Sequence, residues 1–505
     1  MVMRRKVLKK MTIAVVLIGI AMVAWFVFSD KKSETTEHGE APVELIWYQV
    51  GDAQKDTELV LEQVNAYIGE KLGVKLKIMN ISLSDYNQKM QVVMNTGSPW
   101  DLCFTSSWTN DYLQNVNKGV FLALDELLED TQMYGNIDER FWEAARVKGH
   151  IYGVPSEKEL GNMPMWVFTK EYVDKYDIPY DTIHTLEDLE PWLALIKENE
   201  ADVTPLYVTR DYTAPTYMDK IADPVGIEYG DETLKVQNVF ETQRMQQTLA
   251  TMRSYYEAGY VNQDAATATD DKTRRRFVTK GDGQPFAEQI WGKELGYEVV
   301  VSPIMDTSIT NASARGAITA VNAESEHPKE AIALLDLINT DEYLRNLLNY
   351  GIEGIHWERV EVSQQEAANA EGKPYVYDAK VHLNEDKFRD YSVLYWVQGG
   401  LFNTYVMENE SVDKWSVFKE FNDASEEAPS FGFDFDVAPV SGQVASFRTI
   451  LDEFGKALYT GSVDPDVYLP KLIARLEDAG IDQVIEEMQS QVDQWQKDSA
   501  ISAQP

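Results

Sequence analysis

The residues of this chain that could do chemistry are aromatic side chains standing beside carboxylates and amides. Trp108 is followed by Asn110 and Asp111, and Tyr395 and Trp396 by Gln398 and the glycine pair Gly399-Gly400, whose backbone permits close approach. In the segment from Gln284 to Trp291, Glu288 and Trp291 are three residues apart and share a face if the segment is helical. Tyr48 ends an apolar strand, and Glu157 follows a proline-broken one. A ring face covers a C–H-rich surface while a neighbouring carboxylate or amide bonds hydroxyls, so these groupings suit a polyhydroxylated ligand. Plainer readings stand beside this one: Trp108 as a loop aromatic, Glu157 as a solvated carboxylate, Trp291 as a core residue next to a surface Glu288, and 395–398 as core packing.

Groups for bond-making are scarce. There is no His-Glu-x-x-His zinc motif, no Gly-x-Ser-x-Gly elbow and no Gly-x-x-x-x-Gly-Lys phosphate loop. The six histidines show no metal-ligand spacing, and His356 beside Trp357 reads as structural. Asp434 and Asp436 alternate in a strand-like run and superficially resemble a glycosidase pair, chemistry that also needs a defined separation across the sugar. Neither a catalytic residue, a cofactor nor a metal is expected. Cys103, the single cysteine, excludes an intramolecular disulfide and sits in an apolar stretch as a buried thiol. The basic run Lys272 to Arg276 could meet an acidic sugar or a protein partner, though most such runs are solvated faces.

The elements that must position these residues begin with strand 43–48, a helix with Leu59, Val60, Val64, Tyr67 and Ile68 at helical spacing, and alternating strand 74–81. A helix from 86 to about 95 and strand 100–105 complete a β-α-β-α-β order, which implies a parallel sheet covered by helices. Ligands of such sheets gather beyond the carboxyl ends of the strands, which singles out 49–55 and 105–111. The short strand 151–155, broken by Pro155, is a place for the chain to cross between lobes, and strand 297–303 could carry it back. Helical periodicity recurs over 186–197, 241–258 and 328–350, and two amphipathic helices separated by Ala479-Gly480 fill 469–495.

A chain of 505 residues exceeds what one core holds, so two or three domains are expected. With 83 acidic against 46 basic residues the net charge is −37, a surface that repels phosphate backbones and excludes nucleic acid as a partner. Arg4, Arg5, Lys6, Lys9 and Lys10 precede an apolar run from Met11 to Phe28, long enough to cross a hydrocarbon core. This reads as an uncleaved membrane anchor, with a cleaved signal segment as the alternative. The polar stretch that follows reads as a flexible tether.

Three stretches carry a resemblance. Residues 317–357 read AITAVNAESEHPKEAIALLDLINTDEYLRNLLNYGIEGIHW, residues 149–155 read GHIYGVP, and SFGFDFDVAPV from Ser430 is followed by TGSVDPD from Thr460 and EEMQSQVDQW from Glu486. In these the chain resembles the family 1 extracellular solute-binding proteins of ABC importers, in their long branch with an extra carboxyl-terminal domain. The resemblance implies an α/β, two-lobed periplasmic-binding-protein-like fold, a type II-like clamp, with an additional C-terminal α+β region. It divides the chain into a signal or anchor over 1–29, a tether over 30–42, lobe I over 43–155 and 316–360, lobe II over 156–315 and 361–399, and a carboxyl-terminal domain over 400–497 packed on lobe II. Most relatives carry a lipidated cysteine after the signal sequence; here the apolar run 11–28 stands in its place.

The resulting expectation is a monomeric extracytoplasmic receptor that is not an enzyme. It captures a carbohydrate, most simply an oligosaccharide, by hinge closure and hands it to ABC permease subunits. Tyr48, Trp108, Asn110, Asp111, Glu157, Glu288, Trp291, Tyr395, Trp396 and Gln398 are its expected ligand-binding residues. A sensing module for a membrane partner, a glycoside hydrolase, and a peptide or polyamine ligand remain as alternatives.

Overall fold

The computed structural model describes residues 42–502. The chain lays down β1 (Val43–Val50), β2 (Val74–Ile81), β3 (Leu102–Thr105) and β4 (Gly153–Pro155) in one sheet, then β5 (Met163–Thr169), β6 (Thr204–Leu206), β7 (Arg276–Gly283) and β8 (Val299–Pro303) in a second. It returns to the first sheet as β9 (Ile318–Val321). The first sheet has the order β2-β1-β3-β9-β4 and the second β8-β5-β7-β6.

Helices Thr57–Leu72 and Leu83–Thr96 connect β1, β2 and β3 as the periodicity predicts, and the first stops at Gly73, whose φ of 68° is left-handed. β1 and β3 run parallel, but the returning β9 is antiparallel to both β3 and β4. The first sheet is therefore mixed rather than wholly parallel, because its last strand comes back from the other lobe. The expected return strand 297–303 is instead an edge of the second sheet, antiparallel to β5, and the return falls after it. The region 328–350 forms two helices, Pro328–Thr340 and Glu342–Tyr350. Asp341 divides them: its carboxylate accepts the Leu344 amide at 2.8 Å and caps the second helix.

Helices Ser441–Tyr459, Pro465–Asp478 and Ile481–Ser502 do not stand apart. Phe447, Leu458, Leu472, Val484 and Val492 share one apolar core with Trp166, Phe168, Leu193, Leu249 and Phe277 of the second lobe. The segment 361–399, expected with the second lobe, is bonded to the first. Asp390 pairs with Lys55 at 2.8 Å, the Ser392 amide donates to Gln54, and Tyr391 donates to the Leu348 carbonyl. The strand-like run 431–437 forms no strand pairing; Phe431, Phe433 and Phe435 are buried while Asp434 is bound bidentately by Arg315 at 2.5 and 2.9 Å.

Three segments cross between the lobes, and the third lies well after the expected change of lobe at 360–361. They follow β4, precede β9, and run through helix Lys414–Ala424 to residue 428. Asn162 and Ser308 exchange backbone hydrogen bonds, and Ser308–Ile309 pairs parallel with Glu426–Glu427. Asn422 ties its amide to the Leu160 N–H and the Lys158 carbonyl, both at 2.8 Å. The result is a narrow three-stranded ribbon. A Cβ at Gly161 would collide with the Thr307 methyl and stand 2.7 Å from the Ser425 hydroxyl, so all three crossings close on a position without a side chain.

Since Leu472 is wholly buried in the shared core, Leu472→Ala is expected to cost about 2–5 kcal/mol in urea unfolding. The loss should appear in the same transition that unfolds the second lobe; a separate early transition would mark the carboxyl-terminal helices as an independent unit.

Candidate functional site

The ribbon floors a groove. Lys158, Glu159 and Asn162 from the first crossing and Ser308, Ser313 and Gly316 from the second face Tyr229, Asp282 and Gln284 around a cavity of about 440 Å³. Glu159 and Gln284 also border a neighbouring cavity of about 200 Å³, lined by Phe286, Gln289, Ile290 and Lys293 on one side and Tyr395, Glu410, Lys414 and Trp415 on the other. The shared residues make the two cavities one continuous groove.

Three rings cluster in the first lobe beside Gly316, a lining residue of the groove. Phe104, Trp108 and Trp396 meet pairwise with centroids 5.5–5.9 Å apart and tilted planes, the arrangement that ring quadrupoles favour. The Trp108 indole donates to the Gly316 carbonyl at 2.9 Å, yet the residue remains 50% exposed. Tyr395 is 52% exposed and Ile290 is likewise uncovered, so large apolar faces converge on the groove instead of being packed away. Charge in the groove is largely paired: Lys158 with Glu159 and Lys414 with Glu410, both at 2.7 Å, and Asp282 with Lys280 at 3.3 Å. Such a lining offers donors, acceptors and ring faces with little net field.

The expected residues divide by where the fold puts them. Trp108 packs on Trp396 and meets the groove through its bond to Gly316, while Tyr395 lines the groove. Gln398 is buried beside it and donates to Gln49 at 3.1 Å, one residue after the half-buried Tyr48. Asn110 is buried, its amide donating to the Phe104 carbonyl at 3.0 Å, and Asp111 caps helix Tyr112–Asn117 by accepting the Gln114 amide. Glu288 and Trp291 do lie on a helix, Ala287–Leu295, both half-buried. Trp291 packs over Gly281 and Gly283 of β7 and lines a different cavity of about 220 Å³ with Tyr207 and Arg276. The groove is faced instead by Phe286, Gln289, Ile290 and Lys293 of the same segment. Glu159, two residues beyond the expected Glu157, was also missed. The charged doublet Lys158-Glu159 directly after a crossing strand is the signal that could have marked it.

Other groups weighed from the sequence have settled partners. Cys103 is buried and burial pushes its thiol well up, away from nucleophile character. His356 is buried, accepting the Ile352 amide at 2.9 Å and facing Asp56 at 3.3 Å. In the basic run, Lys272 pairs with Asp270 and Glu294, Arg274 with Asp264, and the buried Arg276 with Asp270. Among the described residues no group of three or more His, Cys, Asp or Glu is placed to hold a metal ion.

Two lobes joined by a ribbon, with a groove between them, are the architecture of the solute-binding proteins that this chain is similar to. Residues 429–497 match a domain of unknown function (DUF3502). A carbohydrate ABC transporter substrate-binding protein of Streptococcus pneumoniae is 27% identical over 495 residues, 96% of this chain and 97% of that protein. The crystal structure of an N-glycan transport solute-binding protein from the same organism, also 27% identical, covers 90% of this chain and 100% of its own with a TM-score of 0.79. Its complexes with Man1GlcNAc and Man5GlcNAc superpose less closely, at 0.67 and 0.64. Only the fold is shared with a human-milk-oligosaccharide-binding protein of Bifidobacterium longum infantis, 13% identical over 90% of this chain and 99% of that one with a TM-score of 0.62. Among the described residues no helix is long and apolar enough to cross a membrane; the run 11–28 lies outside them.

Glu157 stands apart as a titrating group. It is 6% exposed, and burial pushes its carboxyl from 4.5 up to about 7; the Asp138 amide opposes this, the Asp138 charge reinforces it, and Lys419 and Asp423 act in opposite senses. An acid raised in the folded state holds its proton there while the unfolded chain has released it. Stability is therefore lost as pH climbs from about 4.5 to about 7 and is level above that. Glu157→Gln should abolish this segment of the pH profile and exceed wild type above pH 7 by on the order of 3 kcal/mol. Parallel wild-type and variant stability curves between pH 5 and 8 would refute the shift.

Proposed function

We propose that this chain is the extracytoplasmic receptor of a carbohydrate ABC importer, binding a neutral oligosaccharide in the groove over the crossing ribbon. The observation that carries the reading is the groove itself. Exposed Tyr395 offers a ring face on one side, with exposed Trp108 bonded to the lining residue Gly316, while Gln284, Asn162 and paired charges offer hydroxyl partners. The pneumococcal relative supports it, since that protein is a carbohydrate-transport binding protein of nearly equal length. The looser superposition of the glycan complexes supports a hinge that closes on the ligand, an equilibrium that differential contacts in the closed form would shift.

In this reading the protein makes and breaks no bonds. ATP hydrolysis belongs to other subunits, consistent with a sequence lacking a phosphate loop. The clamp is of type II kind, with lobe I built on 43–155 and 316–413, lobe II on 156–315, and residues 429–497 added to it. It works as a monomer, tethered by the apolar run 11–28, and presents both lobes to a permease once closed.

A thermal-shift screen of the protein from residue 40 onward against neutral oligosaccharides, Man5GlcNAc among them, tests this. A ligand at about 100 times its Kd should add roughly 2.7 kcal/mol, and Trp108→Ala should weaken it by about 2 kcal/mol, roughly 30-fold. Stabilisation by peptides or polyamines alone would overturn the ligand class, and conversion of the sugar to shorter products would overturn the non-enzymatic reading.

A further inference from the structure

Helix Glu342–Tyr350 presents Leu344, Leu347 and Leu348 to the core, and among them Arg345, which is 0% exposed. A position of that kind ordinarily holds an apolar residue, because a guanidinium loses its hydration there. No carboxylate pairs with Arg345 among the described residues. Its Nε donates to the Gly400 carbonyl at 2.8 Å, and its Nη2 to the carbonyls of Tyr395 at 2.5 Å and Gly399 at 3.3 Å. All three acceptors belong to one irregular segment, which has neither helix nor strand to satisfy its backbone.

We propose that Arg345 is the positioning residue of the groove's first-lobe wall, holding segment 395–400 so that Tyr395 and Trp396 face the ligand. The fork shape suits the task, since one planar cation reaches carbonyls at both ends of the segment where a lysine would reach one. Gly399, at φ 140°, lets the backbone come close: a Cβ there would stand 2.9 Å from Ile338. From the neighbouring helix, Asn339 accepts the Gly400 amide at 2.8 Å. Two helices of the first lobe thus clasp the segment from behind, and its Trp396 ring meets Phe104 and Trp108 edge-on in front. Arg345 meets Tyr395 only at its backbone and does not itself line the groove.

This rests on the groove being the oligosaccharide site, so the first test needs no ligand. In the full chain, Arg345→Met is expected to speed hydrogen exchange of the 395–401 amides about tenfold or more while the strands of the second sheet are unchanged; Arg345→Lys should fall between. Affinity for Man5GlcNAc, by calorimetry, should drop about 10- to 100-fold, as when a supporting group is removed from behind a binding residue. Exchange in 395–401 within twofold of wild type, or a rise spread evenly over the whole protein, would overturn the proposal. Should Arg345→Met fail to fold, Asn339→Ala releases the same segment, and unaltered local exchange in it would count equally against the idea. Wild type that ignores every oligosaccharide would refute the ligand reading while leaving the exchange result to decide this one.

Discussion

The arrangement of both lobes depends on how three strands cross side by side at Gly161. Side chains are excluded there by Thr307 and Ser425, and the backbone bonds between Asn162 and Ser308 and from the Glu426 N–H to the Thr307 carbonyl link all three crossings. Backbone bonds across so narrow a ribbon permit bending about its plane but resist sliding, because a one-residue slip would exchange the faces of every side chain. The groove lies on this ribbon, so the residues that hold the lobes together also line the floor between them. Lys158, Glu159 and Asn162 do both.

Around that floor the chain separates rigid support from exposed contact. Donors and acceptors consumed inside the loops, such as Asn110 and Asp111, fix the course of 105–111, and that course carries Trp108 to the Gly316 carbonyl. The groove's carboxylates at 159, 282 and 410 each stand beside a lysine. A lining of that kind discriminates by shape and hydrogen bonding more than by charge.

Much of the first lobe was legible because its elements are local: the helix 57–72 and the strand 74–81 follow from periodicity and a glycine stop. The aromatic members of the site were legible for the same reason, standing beside turns and glycines. What escaped depends on partners far along the chain. The third crossing pairs Ser308 with Glu426 through strands of two residues each, too short for any pattern. The alternation of 431–437 mimics a strand, yet its carboxylate is there for Arg315. The helix 287–295 was placed correctly in type but read from the wrong face, since Trp291 is drawn onto the bare backbone of Gly281 and Gly283.

The way the last helices enter the second lobe bears on how this chain matures. Domains emerge and fold in order of synthesis, amino end first. The first sheet has all its strands once Val321 has appeared, but the apolar interior around Trp166 and Phe277 still lacks Phe447, Leu472 and Val492. The apolar interior of the second lobe therefore stays incomplete until the helices that carry Phe447, Leu472 and Val492 are present. A receptor built this way cannot gain a working second half from a prematurely ended message.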